Sequence, residues 1–195
     1  MLIDLHCHTK PLSACSALDA AELLRLAAER GLDGICLTEH DRCSTAAELE
    51  ALRATTGLAV FSAVELTTDM GHVLAFGLPP SGYSPVAREV FEASESAGGV
   101  LFLAHPARDG LLRVTSETVE FFASVEAING SDTRLQNIAA SGLAKGFRLP
   151  GIGGSDAHSA AEVARAATQF EATIQSDSEL VAALLSGRYE AVALE

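Results

Sequence analysis

Basic residues are scarce in this chain. Lys and Arg number 13 against 26 Asp and Glu, a formal net charge of −13 over 195 residues. Such a surface repels phosphate backbones and argues against nucleic acid as a partner. It suits a small anionic substrate only where something locally positive, such as metal ions, reverses the field. Cysteine is sparse too: Cys7, Cys15, Cys36 and Cys43 contain no C-x-x-C pair. Long apolar runs are missing, since none approaches the roughly 18–20 residues that span a bilayer. No basic segment leads into a hydrophobic stretch, so neither an export signal nor a membrane partner is expected. The expectation is a cytoplasmic protein with reduced thiols. No internal repeat, low-complexity tract or linker interrupts the chain, and its 195 residues fit one domain, 1–195.

What is present is enough apolar substance for a core: 48% hydrophobic residues and a mean hydropathy of +0.25. Strand-like runs at 2–6, 34–38, 59–66, 72–78, 100–104, 124–128 and 150–154 alternate with helical segments, and a last strand is expected at 167–174. Asp19 with Glu22, Thr45 with Glu48, and Ser159 with Glu162 have the spacing of helix caps. Ser84-Pro85 has the look of a cap followed by proline at the first helical position. Helices are also expected at 116–123, 132–146 and 178–185, and 79–82 reads as a loop. About seven strands alternating with helices predict parallel pairing through right-handed crossovers. Polar residues recur at nearly every strand end, which favours a compact, irregular barrel with its site on the C-terminal rim.

The six histidines are those polar residues: His6, His8, His40, His72, His105 and His158 all fall where an apolar run begins or ends. In Asp4-Leu5-His6-Cys7-His8, alternation puts both imidazoles on one face, within reach of one ion, and Asp4 on that face can orient an imidazole. In Thr38-Glu39-His40-Asp41 the two acids fall on the opposite face from the imidazole and read as supporting or solvated groups. Glu65 follows the apolar run 58–64, where an unpaired buried carboxylate is costly, so a cation partner is expected. Ala104-His105-Pro106 and Gly71-His72-Val73 each place one imidazole at a strand end. Gly153-Gly154-Ser155-Asp156-Ala157-His158 ends a strand with a second same-face pair. Closing a barrel brings the first and last strands, and so the two pairs, together. Each motif alone also reads as a hydrogen-bonded structural histidine.

Taken in order, the 4–9, 38–41, Glu65, 104–106 and 154–158 motifs resemble those of the PHP (polymerase and histidinol phosphatase) family, over residues 2 to about 160. The resemblance implies a distorted (β/α)7 TIM-like barrel. It also implies two to three divalent metal ions (zinc, manganese or iron) at the barrel rim, and phosphoester hydrolysis by metal-activated water. Carried over, His6, His8, Glu65 and Asp156 hold one ion. Glu65 bridges to a second held by His105 and His72, and His40 and His158 hold a third. Family members often add a His or Asp soon after H-x-H. This chain has Leu12-Ser13-Ala14-Cys15-Ser16 there, so Cys15 is either a thiolate ligand of the third ion or a spectator.

Glu65, Asp156 and Arg108 are the catalytic candidates, with Arg108 either a bidentate phosphate clamp or a solvated loop residue. Arg134 and Lys145 are weaker candidates, and Asn129 either binds substrate or turns the chain. A small phosphomonoester is the expected substrate, because neither an inserted domain nor a basic surface is evident. Two other classes stay open: a regulatory or binding module with an incomplete site, and an amidohydrolase-type metal hydrolase. The second also begins with an H-x-H strand but usually places a lysine at a strand end, which Lys10 and Lys145 do not provide.

Overall fold

Strand and helix alternate along β1 (Leu2–Asp4), α1 (Ala20–Glu29), β2 (Gly34–His40), α2 (Ala46–Arg53), β3 (Ala59–Thr68), β4 (Gly71–Phe76), α3 (Ala87–Ala97), β5 (Val100–Leu103), α4 (Ser116–Phe121), β6 (Ser124–Asn129), α5 (Arg134–Ala144), β7 (Ile152–Gly154), β8 (Ala166–Phe170), α6 (Asp177–Ser186) and β9 (Tyr189–Ala193). These elements come from a computed structural model that describes residues 1–79, 82–108 and 114–194. The loop expected at 79–82 lies partly outside the described residues. No helix among them is long and apolar enough to cross a membrane.

One sheet holds all nine strands, in the order β7-β6-β5-β4-β3-β2-β1-β8-β9. It curls until β7 returns to β1 and β8. The Gly153 amide donates to Thr168 Oγ1 at 2.8 Å, the Asp156 amide to the His6 carbonyl at 2.7 Å, and Cys7 forms a parallel bridge with Ala157. The two same-face pairs at opposite ends of the sequence therefore meet. Glycine permits that closure: a Cβ on Gly154 would stand 2.4 Å from the Cβ of His6.

The distorted barrel is thus present, but its sheet is mixed. Pairs β1–β2, β2–β3, β5–β6 and β6–β7 are parallel, whereas β3–β4, β4–β5, β1–β8 and β8–β9 are antiparallel. The cause at β3–β4 is local. Only Asp69 and Met70 separate the strands, and a parallel crossover needs about a dozen residues or more. This hairpin has a consequence for the site. His72 precedes its apolar run rather than ending it, yet β4 runs backwards, so its start lies on the same rim as the end of β3.

Two expected helix starts move. α3 begins at Ala87, not after Ser84-Pro85, because Asp69 Oδ1 accepts from the Ala87 amide at 2.8 Å while Ser84 Oγ is taken by the Val86 amide at 3.0 Å. At 159–162 the cap bonds form, with Glu162 Oε2 accepting from the Ser159 amide and hydroxyl. The segment makes only turns, and Ala164, at φ +57°, redirects the chain into β8. α1, α2 and α5 start on the capping residues Asp19, Thr45 and Thr133.

Alternation along three adjacent strands builds the floor of the site. Cys36 and His40 share a face of β2, Phe61, Ala63 and Glu65 a face of β3, and His72, Leu74 and Phe76 a face of β4. The apolar members of these sets, with Ile3, Leu5, Phe102 and Phe170, pack into one buried cluster. His40 pairs in register with Glu65, and Thr67 with His72, so the polar members crown that cluster at one rim.

Candidate metal centre

All six imidazoles gather on this rim. His6 and His8 are fully buried, His105 is 5% exposed, and His40, His72 and His158 are about one-third exposed along the open side. Glu65 lies at the middle. Its Oε1 is 2.8 Å from His72 Nδ1 and 2.9 Å from His105 Nε2. Its Oε2 is 3.3, 3.1 and 3.2 Å from ring nitrogens of His6, His8 and His40.

Four of these side chains converge on one point. His6 Nε2 is 3.1 Å from His8 Nε2, and the two lie 3.3 and 3.1 Å from Glu65 Oε2 and 3.5 and 3.3 Å from Asp156 Oδ1. A tetrahedral ion with ligands at about 2.0–2.1 Å separates them by about 3.3 Å. Five edges of the tetrahedron are therefore met before any ion is considered, so the donor set fits a divalent metal. Three groups of donors draw together: His6 with His8 and Asp156, His6 with Glu65 and His105, and His8 with His40 and His158. Their sharing of His6 and His8 matters, because each ring directs one free nitrogen inward. Glu126 Oε1 accepts from His6 Nδ1 at 2.9 Å, and the Asp156 carbonyl from His158 Nδ1 at 2.9 Å, leaving Nε2 of each ring as the donor.

The electrostatics point the same way. Burial disfavours the His6 imidazolium, but Glu126, Asp156 and Glu65 outweigh it and hold its pKa well above the usual value. His8 is raised in spite of burial by hydrogen bonds to Asp156 and Glu65. Glu65 stays far below the usual carboxylate range because His6, His105 and His72 outweigh its burial. The cluster demands positive charge at its centre, from protons or from cations. Backbone strain accompanies it: His105 has φ +27° and Asp156 φ +53°, each costing on the order of 1–3 kcal/mol. The His105 amide is held by Glu126 Oε2 at 2.9 Å and the Asp156 amide by the His6 carbonyl.

The structure reassigns two roles read from the sequence and adds one. Asp4 does not orient an imidazole. Its Oδ1 accepts from the His6 and Ser155 amides at 3.2 and 2.8 Å, and burial raises its pKa to about 6. The orienting carboxylate is Glu126, a fully buried residue in the middle of β6. Its signal was in the sequence, an acid inside the apolar run 124–128, the same signal that marks Glu65. Cys15 is exposed and belongs to none of the three donor groups, in which His8 accompanies His40 and His158. Glu39 is buried and accepts from the amide and hydroxyl of Thr9 and the hydroxyl of Ser13, clamping the loop after β1.

Arg108 sits at the rim rather than in solvent. Its Nε donates to Asp132 at 2.8 Å, and its Nη2 to Asp156 Oδ2 at 2.7 Å and Asn129 Oδ1 at 3.1 Å. Asn129 is buried and its amide also donates to Glu126 and Asp156. Arg134 and Lys145 lie away from the imidazoles, along a groove beside α5.

Residues 134–189 match the PHP-associated family, and residues 1–76 a family of unknown function (DUF6282). No protein of curated function matches the chain. Among solved structures, the fold is similar to a two-domain protein of Bacteroides vulgatus ATCC 8482 containing a predicted PHP-like metal-dependent phosphoesterase, at TM-score 0.74 and 22% identity over 99% of this chain. This chain spans 64% of that protein's length. A protein of Bifidobacterium adolescentis ATCC 15703, provisionally named a metal-dependent phosphoesterase, aligns at TM-score 0.65 and 18% identity over 95% of this chain and 96% of its own. An amidohydrolase of Chromobacterium violaceum, with bound sulfate and no metal, aligns at TM-score 0.64 and 17% identity over 80% of this chain and 87% of its own. In its motifs, its barrel and the PHP-associated match over residues 134–189, the chain is similar to the PHP family.

Proposed function

We propose that this protein is a metal-dependent phosphoesterase acting on small phosphomonoesters. The observation that carries the reading is the convergence of His6, His8, Glu65 and Asp156, with donor separations of 3.1–3.5 Å, on one point. These four would hold one ion. Glu65 Oε1 with His72 and His105 would hold a second, and His40 with His158 a third. In this assignment Glu65 would serve the first two ions, and two of the donor groups, His6 with Glu65 and His105, and His8 with His40 and His158, share no residue. When bound, divalent ions supply the Lewis acidity that makes water acidic near neutrality and screens a phosphoryl group's charge.

The chain's own residues do the rest. Glu126 fixes the His6 ring, and Asn129 ties Glu126 to Asp156, so two donors of the first group are set by one buried network. Arg108 spends Nε and Nη2 on this network, and its Nη1 makes no hydrogen bond among the described residues. Those remaining N–H groups would serve to bind a phosphoryl oxygen. With −13 net charge, Arg108 and the ions would provide the positive field an anionic substrate needs, and nucleic acid remains a poor candidate.

Amide hydrolysis is the second reading, favoured by the fold's likeness to the Chromobacterium violaceum amidohydrolase. A panel of p-nitrophenyl phosphate, bis-p-nitrophenyl phosphate and an anilide, with added manganese or zinc, separates the classes. We expect turnover of the monoester above the other two. Turnover of the anilide alone would replace the reading, and no turnover of any with full metal loading would leave a binding module.

A further inference from the structure

Residues 133–155 stand apart in charge. They hold Arg134, Lys145 and Arg148 and no acid, while all 26 acidic residues lie elsewhere in the chain. α5 runs through this segment, and its Leu135 and Ile138 are 78% and 58% exposed. A groove of about 710 Å³ beside it is lined by Ile128, Ile138, Gly142 and Ala193, together with Arg134, the first residue of α5, and Lys145, its C-cap. The two cations stand about 16 Å apart along the helix axis. The groove has a fixed wall. Asn137 exchanges hydrogen bonds of 2.9 Å with the backbone of Asn129, and the Ser141 hydroxyl donates to the Ala127 carbonyl at 3.0 Å, so α5 is tied to β6.

The choices made on this face gain nothing within the chain. Neither Arg134 nor Lys145 makes an ion pair or a side-chain hydrogen bond among the described residues. Arg134 also stands at the N-terminus of α5, the positive end of its dipole, where a cation is unfavourable. Gly142 weakens the helix, although a Cβ there would meet nothing within 4 Å, and it leaves room for a close approach from outside. Local rules broken without an internal gain mark positions that serve a function. An apolar strip between two unpaired cations is complementary to a segment whose apolar residues are flanked by acids. A second copy is a poorer fit. Laid along its own equivalent, α5 would set Arg134 of one copy near Lys145 of the other if antiparallel, or near Arg134 if parallel, with no acid in 133–155 to offset them.

We propose that the groove beside α5 docks an acidic amphipathic segment of another protein, its apolar residues on Leu135 and Ile138 and its carboxylates on Arg134 and Lys145. This surface is separate from the metal centre, none of whose imidazoles lines the groove. A display library of random peptides of about 14 residues, long enough to span both cations, selected against the full chain, tests it. The enriched peptides are then synthesised and titrated by fluorescence anisotropy. They should combine apolar residues with acids and bind in the micromolar range. Ile138→Ser, or Arg134→Glu together with Lys145→Glu, should weaken binding by at least about tenfold, with melting temperature and metal content unchanged. Exchanging the peptide's acids for lysine should restore binding to the charge-reversed variant. No enrichment, enrichment of neutral or basic peptides, or peptides that the variants bind as the wild type does would overturn the docking role. Sedimentation showing a wild-type dimer that Ile138→Ser converts to monomer would replace the acidic partner with a second copy.

Discussion

At the scale of single residues, Glu65 does the most, because its two oxygens face five imidazoles. Glu65→Gln removes the charge and one acceptor at once. It should lower phosphatase turnover by at least about a hundredfold and reduce bound metal, with the circular dichroism spectrum unchanged. Turnover near wild type at saturating metal would remove Glu65 from the centre. Glu126 is a positioning residue, acting through His6. Glu126→Gln should weaken metal binding by about 10–100-fold, read by competition with a chelating dye. Unaltered affinity would mean that the His6–Glu126 bond does not set the ring. Cys15→Ser should keep the full metal count, and Cys15 should alkylate at the same rate with and without metal, as its exposure requires. Protection by metal would instead bring the thiol into the third group. The imidazoles were legible in the sequence because all six fall where an apolar run begins or ends. Glu126 was equally marked but hidden in a segment that reads as plain strand, and the placement of Cys15 depends on a loop whose path no periodicity encodes.

At the scale of elements, two features carry the site: the β3–β4 hairpin and the seam between β1 and β7. Strand positions were readable from apolar runs, and the caps at Asp19 and Thr45 from their spacing. Strand direction was not, because it depends on connection length and on which edge a strand finds. The antiparallel β4 follows from two turn residues, and β9, the added edge strand, from Gly187 ending α6 at φ +68°. The seam makes a sharp prediction. Gly154→Ala places a Cβ 2.4 Å from His6 Cβ and 2.6 Å from its amide nitrogen. It should cost about 1–3 kcal/mol of stability and disturb metal binding through His6. A variant with wild-type melting temperature and metal affinity would show that the strands do not approach as closely as described.

At the scale of the whole molecule, acidity and buried imidazoles meet in the pH dependence. Burial works against the His6 and His8 imidazoliums, yet neighbouring carboxylates raise both pKa values above 6.5. A raised folded-state value means that the metal-free protein holds protons more tightly than its unfolded chain. That stability is fully present below about 6.5 and is lost as pH rises through the folded values. His40 is shifted the other way, chiefly by burial, and acts only below this window. The chelated protein should therefore melt at lower temperature as pH rises from about 7 to about 9, while the loaded protein, with cations in place of those protons, should not. A chelated protein that gained stability over that range would show the cluster uncharged without metal.

The account stands on the claim that the gathered imidazoles and carboxylates are a metal centre. Elemental analysis of the protein, purified without chelator and dialysed against excess manganese or zinc, tests it most directly. At least two ions per chain are predicted, the number that the separate donor groups can hold. A stoichiometry near zero that added metal cannot raise would contradict it.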